Sequence, residues 1–71
     1  GEDYHVFTGT TLTVCALKLK NGFVVTGESA AASPENFDAE IGKKIARQNA
    51  REKIWMLEGY LLKQTLFEAQ L

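Results

Sequence analysis

One cysteine, one histidine and one proline in 71 residues rule out several ways of stabilising so short a chain. Cys15 has no intrachain partner, so no disulfide closes within a protomer; it either pairs with a second copy or packs as a small apolar side chain. One thiol and one imidazole (His5) fall short of the donor set of a structural zinc site. No apolar run reaches the ~18 residues of a membrane span, and no secretory signal pattern opens the sequence, so the expected location is a reducing cytoplasm. Neither charge is in excess: eight basic and nine acidic side chains give a formal net charge of −1 at pH 7, which argues against generic binding of nucleic acid.

Catalytic constellations are also missing. The histidine stands near the start of the chain, and Cys15 falls mid-strand rather than at a helix N-terminus where its thiolate would be favoured. Gly27-Glu28-Ser29 lacks the glycine spacing and the lysine of a phosphate loop. No cofactor motif is present, and no residue is assigned as catalytic. Glu28 and Glu58, each next to a glycine, are the acids that an enzymatic reading would use as a base; as ordinary residues they are solvated surface acids.

The length fits one domain, residues 1–71. A chain of this size buries only about 60% of its unfolded surface, and small domains add disulfides, metals or partner chains. With the first two excluded, oligomerisation is the expected supplement.

Residues 10–29 read as a β-hairpin. Asn21-Gly22 sits between alternating apolar runs, the signature of a two-residue type I′ turn. That register sets Leu19 opposite Val24, Leu17 opposite Thr26 and Cys15 opposite Glu28. One face then holds Cys15, Leu17, Leu19, Val24 and Thr26. The other holds Leu12, Val14, Ala16, Phe23 and Val25. One face is expected to meet the following helix. The second needs another cover, either a second chain or residues 4–7, which carry β-formers and give the alternative of a third strand.

A helix is expected over about residues 34–66, started by Ser33-Pro34-Glu35, with a second start at Phe37-Asp38 after a kink. Gly42, Ala46 and Ala50 recur every four residues and form a shallow groove that another backbone could approach. Lys43, Lys44, Arg47 and Arg51 form a basic stripe with Trp55 one turn beyond. This stripe is either an anion site with a flat ring beside it or a solvated face paired with Glu40 and Glu52. Asn49, close to the apolar side, needs a partner and is suited to capping a hairpin backbone group or fixing an interface. A helix this long outruns a two-stranded hairpin, so Trp55, Leu61, Leu62, Leu66 and Phe67 overhang unless Gly59 breaks the helix.

Five segments occur in order: Thr-Leu-Thr-Val-Cys, Asn-Gly-Phe-x-Val-x-Gly-Glu-Ser, Pro-x-Asn-Phe-Asp-x-Glu-Ile-Gly, Ala-Arg-x-Asn-Ala and Ile-Trp-x-Leu-Glu-Gly-Tyr-Leu-Leu. Together they resemble a family of small proteins from tailed bacteriophages and prophages, over nearly the whole chain. The resemblance implies a phage accessory protein in the host cytoplasm and carries no assigned activity. By analogy with other tiny phage proteins, it implies blocking or sequestering a host component.

The expected architecture is thus α+β: an antiparallel hairpin, extended by a third strand in one alternative, packed on one long C-terminal helix in a homo-oligomer. The expected function is non-catalytic binding of a nucleotide-type anionic signal by Lys43, Arg47, Arg51, Trp55, Asn49, Glu28 and Ser29. The alternative is a surface that blocks a host protein. The expected contact between copies uses Leu12, Val14, Phe23, Val25, Gly42, Ala46, Ala50, Leu61, Leu62 and Leu66.

Overall fold

The computed structural model describes residues 1–70. Three strands, β1 (Glu2–Val6), β2 (Leu12–Lys18) and β3 (Val24–Ala30), form an antiparallel sheet in the order β1-β2-β3. A single 3-10 turn (Pro34–Asn36) leads into one helix, α1 (Ala39–Ala69). The fold is therefore α+β, a three-stranded sheet laid on one long C-terminal helix. Among the described residues no helix is long and apolar enough to cross a membrane.

The N-terminal segment is the third strand, with Tyr4 opposite Cys15 and His5 opposite Val14. It extends the sheet sideways and does not fold over the sheet's second face. That face, carrying Leu12, Val14 and Ala16 of β2 and Val24 and Thr26 of β3, has no covering element among the described residues. His5 and Phe7 stack edge-on there, ring centroids 4.5 Å apart.

The hairpin forms with a longer turn than Asn21-Gly22 suggests. The Gly22 amide donates to Leu19 O (2.9 Å) and the Leu19 amide to Phe23 O (2.8 Å), leaving a three-residue loop of Lys20, Asn21 and Gly22. Gly22 has φ +90°, and among the described residues no non-glycine has positive φ. This is a type I turn completed by a left-handed glycine, the usual three-residue hairpin. Asn21 keeps an ordinary backbone and its side-chain oxygen accepts the Phe23 amide at 3.0 Å. The extra loop residue moves β3 by one position: Leu17 faces Val25, Cys15 faces Gly27 and Thr13 faces Ser29. A one-residue slip exchanges the faces of a strand. Val25 is consequently buried against the helix and not free for a second copy, Phe23 also turns to the helix side, and Val24 and Thr26 move to the outer face.

The helix begins at Ala39, after Pro34 and the 3-10 turn. Ser33 makes no side-chain cap bond, whereas the Asp38 carboxylate accepts the amides of Glu40 and Ile41. A capping acid that satisfies two free amides and complements the helix dipole outweighs the earlier signal. Gly59 does not interrupt α1. At 31 residues and 1.5 Å per residue, α1 is about 46 Å long.

The core is thin. Cys15, Val25, Ala46 and Ala50 are buried, with Tyr4, Leu17 and Ile54 packed beside them. Here the small-residue stripe finds its partner inside the chain. A Cβ on Gly27 would lie 2.8 Å from Ala50 Cα and closer still to Ala50 N and Ala46 O. The helix backbone therefore rests directly on β3, with Gly42 against the side chains of Thr13 and Ser29. Gly42, Ala46 and Ala50 are thus inner-face residues and not contacts between copies. Two side chains fasten the seam: the Ser29 hydroxyl donates to Gly42 O (2.6 Å) and the Asn49 amide to Glu28 O (2.7 Å).

Two stability measurements follow. Gly27→Ala should cost about 3 kcal/mol or more, because backbone atoms cannot yield as side chains can; urea unfolding would read this as a lower midpoint. The Thr13 hydroxyl is buried without a hydrogen-bond partner. Thr13→Val, which keeps the shape and removes the unsatisfied group, should raise stability by about 1 kcal/mol in the same assay.

Candidate functional site

The exposed sides of α1 differ in chemistry. Lys44, Arg47, Gln48, Arg51, Glu52 and Trp55 follow one another at helical spacing and line an open groove of about 520 Å³. Three cationic side chains surround it, and the Trp55 indole, 71% exposed, closes one end. Arginine and lysine in a row bind oxyanions, arginine by a planar fork that matches phosphate, and an exposed indole face accepts a stacked ring or base. The groove lies along a single helix and has no opposite wall among the described residues, whereas enclosed ligand sites cover most of their ligand.

Of the residues expected to bind a ligand, Arg47, Arg51 and Trp55 come together in the groove. Lys43 does not. One residue along a helix is a rotation of 100°, which turns Lys43 toward the sheet, its ammonium 5.9 Å from the centre of the Tyr4 ring. Lys44 takes its place. Asn49, Glu28 and Ser29 lie along the β3–α1 seam: Asn49 and Ser29 hold backbone carbonyls, and Glu28 contributes its carbonyl while its side chain stays exposed. The bond from Asn49 is the cap on a hairpin backbone group that its position suggested.

Periodicity does not reveal Glu2. Its carboxylate lies 3.3 Å from Arg47 Nε, and the same oxygen accepts the Tyr4 hydroxyl. The hydrogen bond from Tyr4 is the main influence that holds the Glu2 carboxyl below the usual carboxylate range; burial opposes it, and Arg47 adds smaller effects in the lowering direction. Reciprocally, donation to Glu2 pushes the Tyr4 phenol up to about 12, because ionising it would set two anions together. Signals for Glu2 were weak because it is far from the helix in sequence; only the pairing of β1 with β2 brings it beside Arg47. Burial pushes the Cys15 thiol up, and its side chain packs in the core with Val25, Ala46 and Ala50.

The other conspicuous surface is apolar. Trp55, Met56, Leu57, Tyr60, Leu61, Leu62, Leu66 and Phe67 are all more than 40% exposed. Leu61, Leu62 and Leu66 thus stand uncovered as the length of the helix implied. Leu19, Phe23, Ile54, Leu57 and Leu61 border a hollow of about 230 Å³ where the hairpin tip meets the helix.

A family model for phage proteins matches residues 1–66 of the chain. The chain belongs to the Phage protein (N4 Gp49/phage Sf6 gene 66) family. It is thus a small phage protein, in agreement with the resemblance carried by its sequence. No curated protein and no solved structure matches it.

The Glu2–Tyr4 contact can be titrated. The Glu2 shift stabilises the fold above the ordinary carboxyl pKa and is lost as pH falls through the lowered value. The Tyr4 shift stabilises it below about 10 and is lost as pH rises toward 12. In a Tyr60→Phe background, the 295 nm absorbance of Tyr4 should titrate near 12. Adding Glu2→Gln should bring that midpoint back toward about 10.

Proposed function

We propose that this phage protein is a non-catalytic homo-oligomeric binding module that holds a small anionic ligand of the nucleotide-signal type between protomers. It would act in the cytoplasm of the infected cell by sequestering that ligand. The observation that carries this reading is the groove of Lys44, Arg47, Arg51 and Trp55: cations for phosphate, a ring for a base, and no second wall. A second protomer is the economical source of that wall, because the same helix leaves a long run of large apolar side chains uncovered on its other sides. Closed symmetric assemblies hide such a run by matching it with itself. Sequestration asks only for tight, slow-releasing binding, so it fits a site built of forks and a ring around no nucleophile.

Thermal denaturation against a panel of linear and cyclic nucleotides tests the ligand. A specific ligand at about a hundred times its dissociation constant should stabilise the fold by about 2.7 kcal/mol, and Arg51→Ala or Trp55→Ala should abolish the shift without lowering the unliganded stability by more than about 1 kcal/mol. Light scattering at micromolar protein should give more than one protomer, and Leu62→Glu should shift the population toward the monomer and weaken binding in parallel. A monomer, or a panel with no stabilising nucleotide, would sink the proposal; capture of a host protein with no nucleotide response would favour the blocking alternative.

A further inference from the structure

We infer that Glu2 is an internal occupant of the anion-binding face, seated on Arg47 until a more highly charged ligand displaces it, and so sets which anions the face accepts. This rests on reading the groove as an anion site and adds a residue that the groove itself does not contain.

Arg47 and Arg51 form the wall between two hollows. On one side is the open groove with Lys44 and Trp55. On the other is a hollow of about 410 Å³ toward the sheet, bordered by Glu2, Leu17, Lys18, Leu19 and Ile54. The Arg47 guanidinium therefore has an anion available on the sheet side and room for another on the solvent side. The sheet-side anion is held in position twice: β1 pairs Glu2 with Leu17 of β2, and the Tyr4 hydroxyl donates to the carboxylate oxygen that faces Arg47. A carboxylate so placed presents to Arg47 the same kind of oxygen that a ligand's phosphate would.

The strength of the pair decides its role. Both side chains are close to half exposed, 45% and 43%, and ion pairs at such exposure are weak and screened by salt. A buried pair would lock Arg47; this one can be exchanged. A monoanionic carboxylate gains little by replacing another carboxylate. A phosphate group carrying more charge and more acceptor oxygens gains the difference, because arginine binds it in a bidentate, charge-assisted way. Glu2 thereby raises the threshold for entry and favours polyphosphate-like ligands over small organic acids.

Isothermal titration at fixed ionic strength, with pyrophosphate, ADP and acetate as probes, tests this. Glu2→Gln should bind pyrophosphate and ADP about three-fold more tightly than the wild type, the size expected from removing an exposed competing ion pair, and should bind acetate measurably where the wild type does not. Asp3→Asn is the control: it makes the same change in net charge on the opposite face of β1, opposite Ala16, and should leave all three affinities unchanged. If Glu2→Gln binds no more tightly than Asp3→Asn, the internal-occupant role is overturned. Loss of pyrophosphate binding in Arg47→Ala would then leave the anion site itself intact. If neither the wild type nor Glu2→Gln binds pyrophosphate or ADP, the occupant role and the anion site fall together.

Discussion

The contact of Gly27 with the backbone of α1 at Ala46 and Ala50 organises this protein. Sheets and helices ordinarily meet through layers of side chains. Here a glycine in β3 and alanines in α1 remove those layers over one patch, so the helix rides on the strand itself. Close approach brings the Ser29 hydroxyl and the Asn49 amide within reach of carbonyls across the seam. It also leaves little room for a broad core, and the small set of buried apolar residues, Cys15, Val25, Ala46 and Ala50, reflects that. The outcome is a thin body, 56 × 22 × 15 Å, in which most large apolar side chains lie outside the seam.

The same contact explains which features could be read from the sequence. The long helix, its small-residue stripe and its overhang follow from spacing alone, because a helix face is a local property. The strand register is not local. Asn21-Gly22 suits a two-residue or a three-residue loop almost equally. The choice falls to the position at which β3 can meet a helix backbone, and only the longer loop puts Gly27 there instead of Glu28. The helix start was ambiguous for a similar reason: Ser33 and Asp38 are both capping residues, and only Asp38 reaches free amides. The occupant of the groove beside Gly42, Ala46 and Ala50 was a matter of tertiary structure, and it turned out to be β3.

The candidate site divides in the same way. Arg47, Arg51 and Trp55 share a face by helical periodicity and were visible in the sequence. Lys43 and Lys44 are neighbours in sequence, and small differences in helix phase decide which of them joins that face. Glu2 was invisible, because its distance from Arg47 depends on β1 lying beside β2 rather than across the sheet. One helix thus serves three environments at once: small residues on the sheet, cations and an indole toward open solvent, and bulky apolar groups beyond the sheet's end.

Gly59 gives this arrangement one further consequence. Glycine in the interior of a helix loses about 0.5–1 kcal/mol relative to alanine, and at this position an added methyl group would meet nothing described within 4 Å beyond its chain neighbours and the adjoining helix backbone. The bare backbone at Gly59, between the exposed side chains of Glu58 and Tyr60, leaves a shallow dimple on that unshielded stretch, kept at a cost in helix propensity.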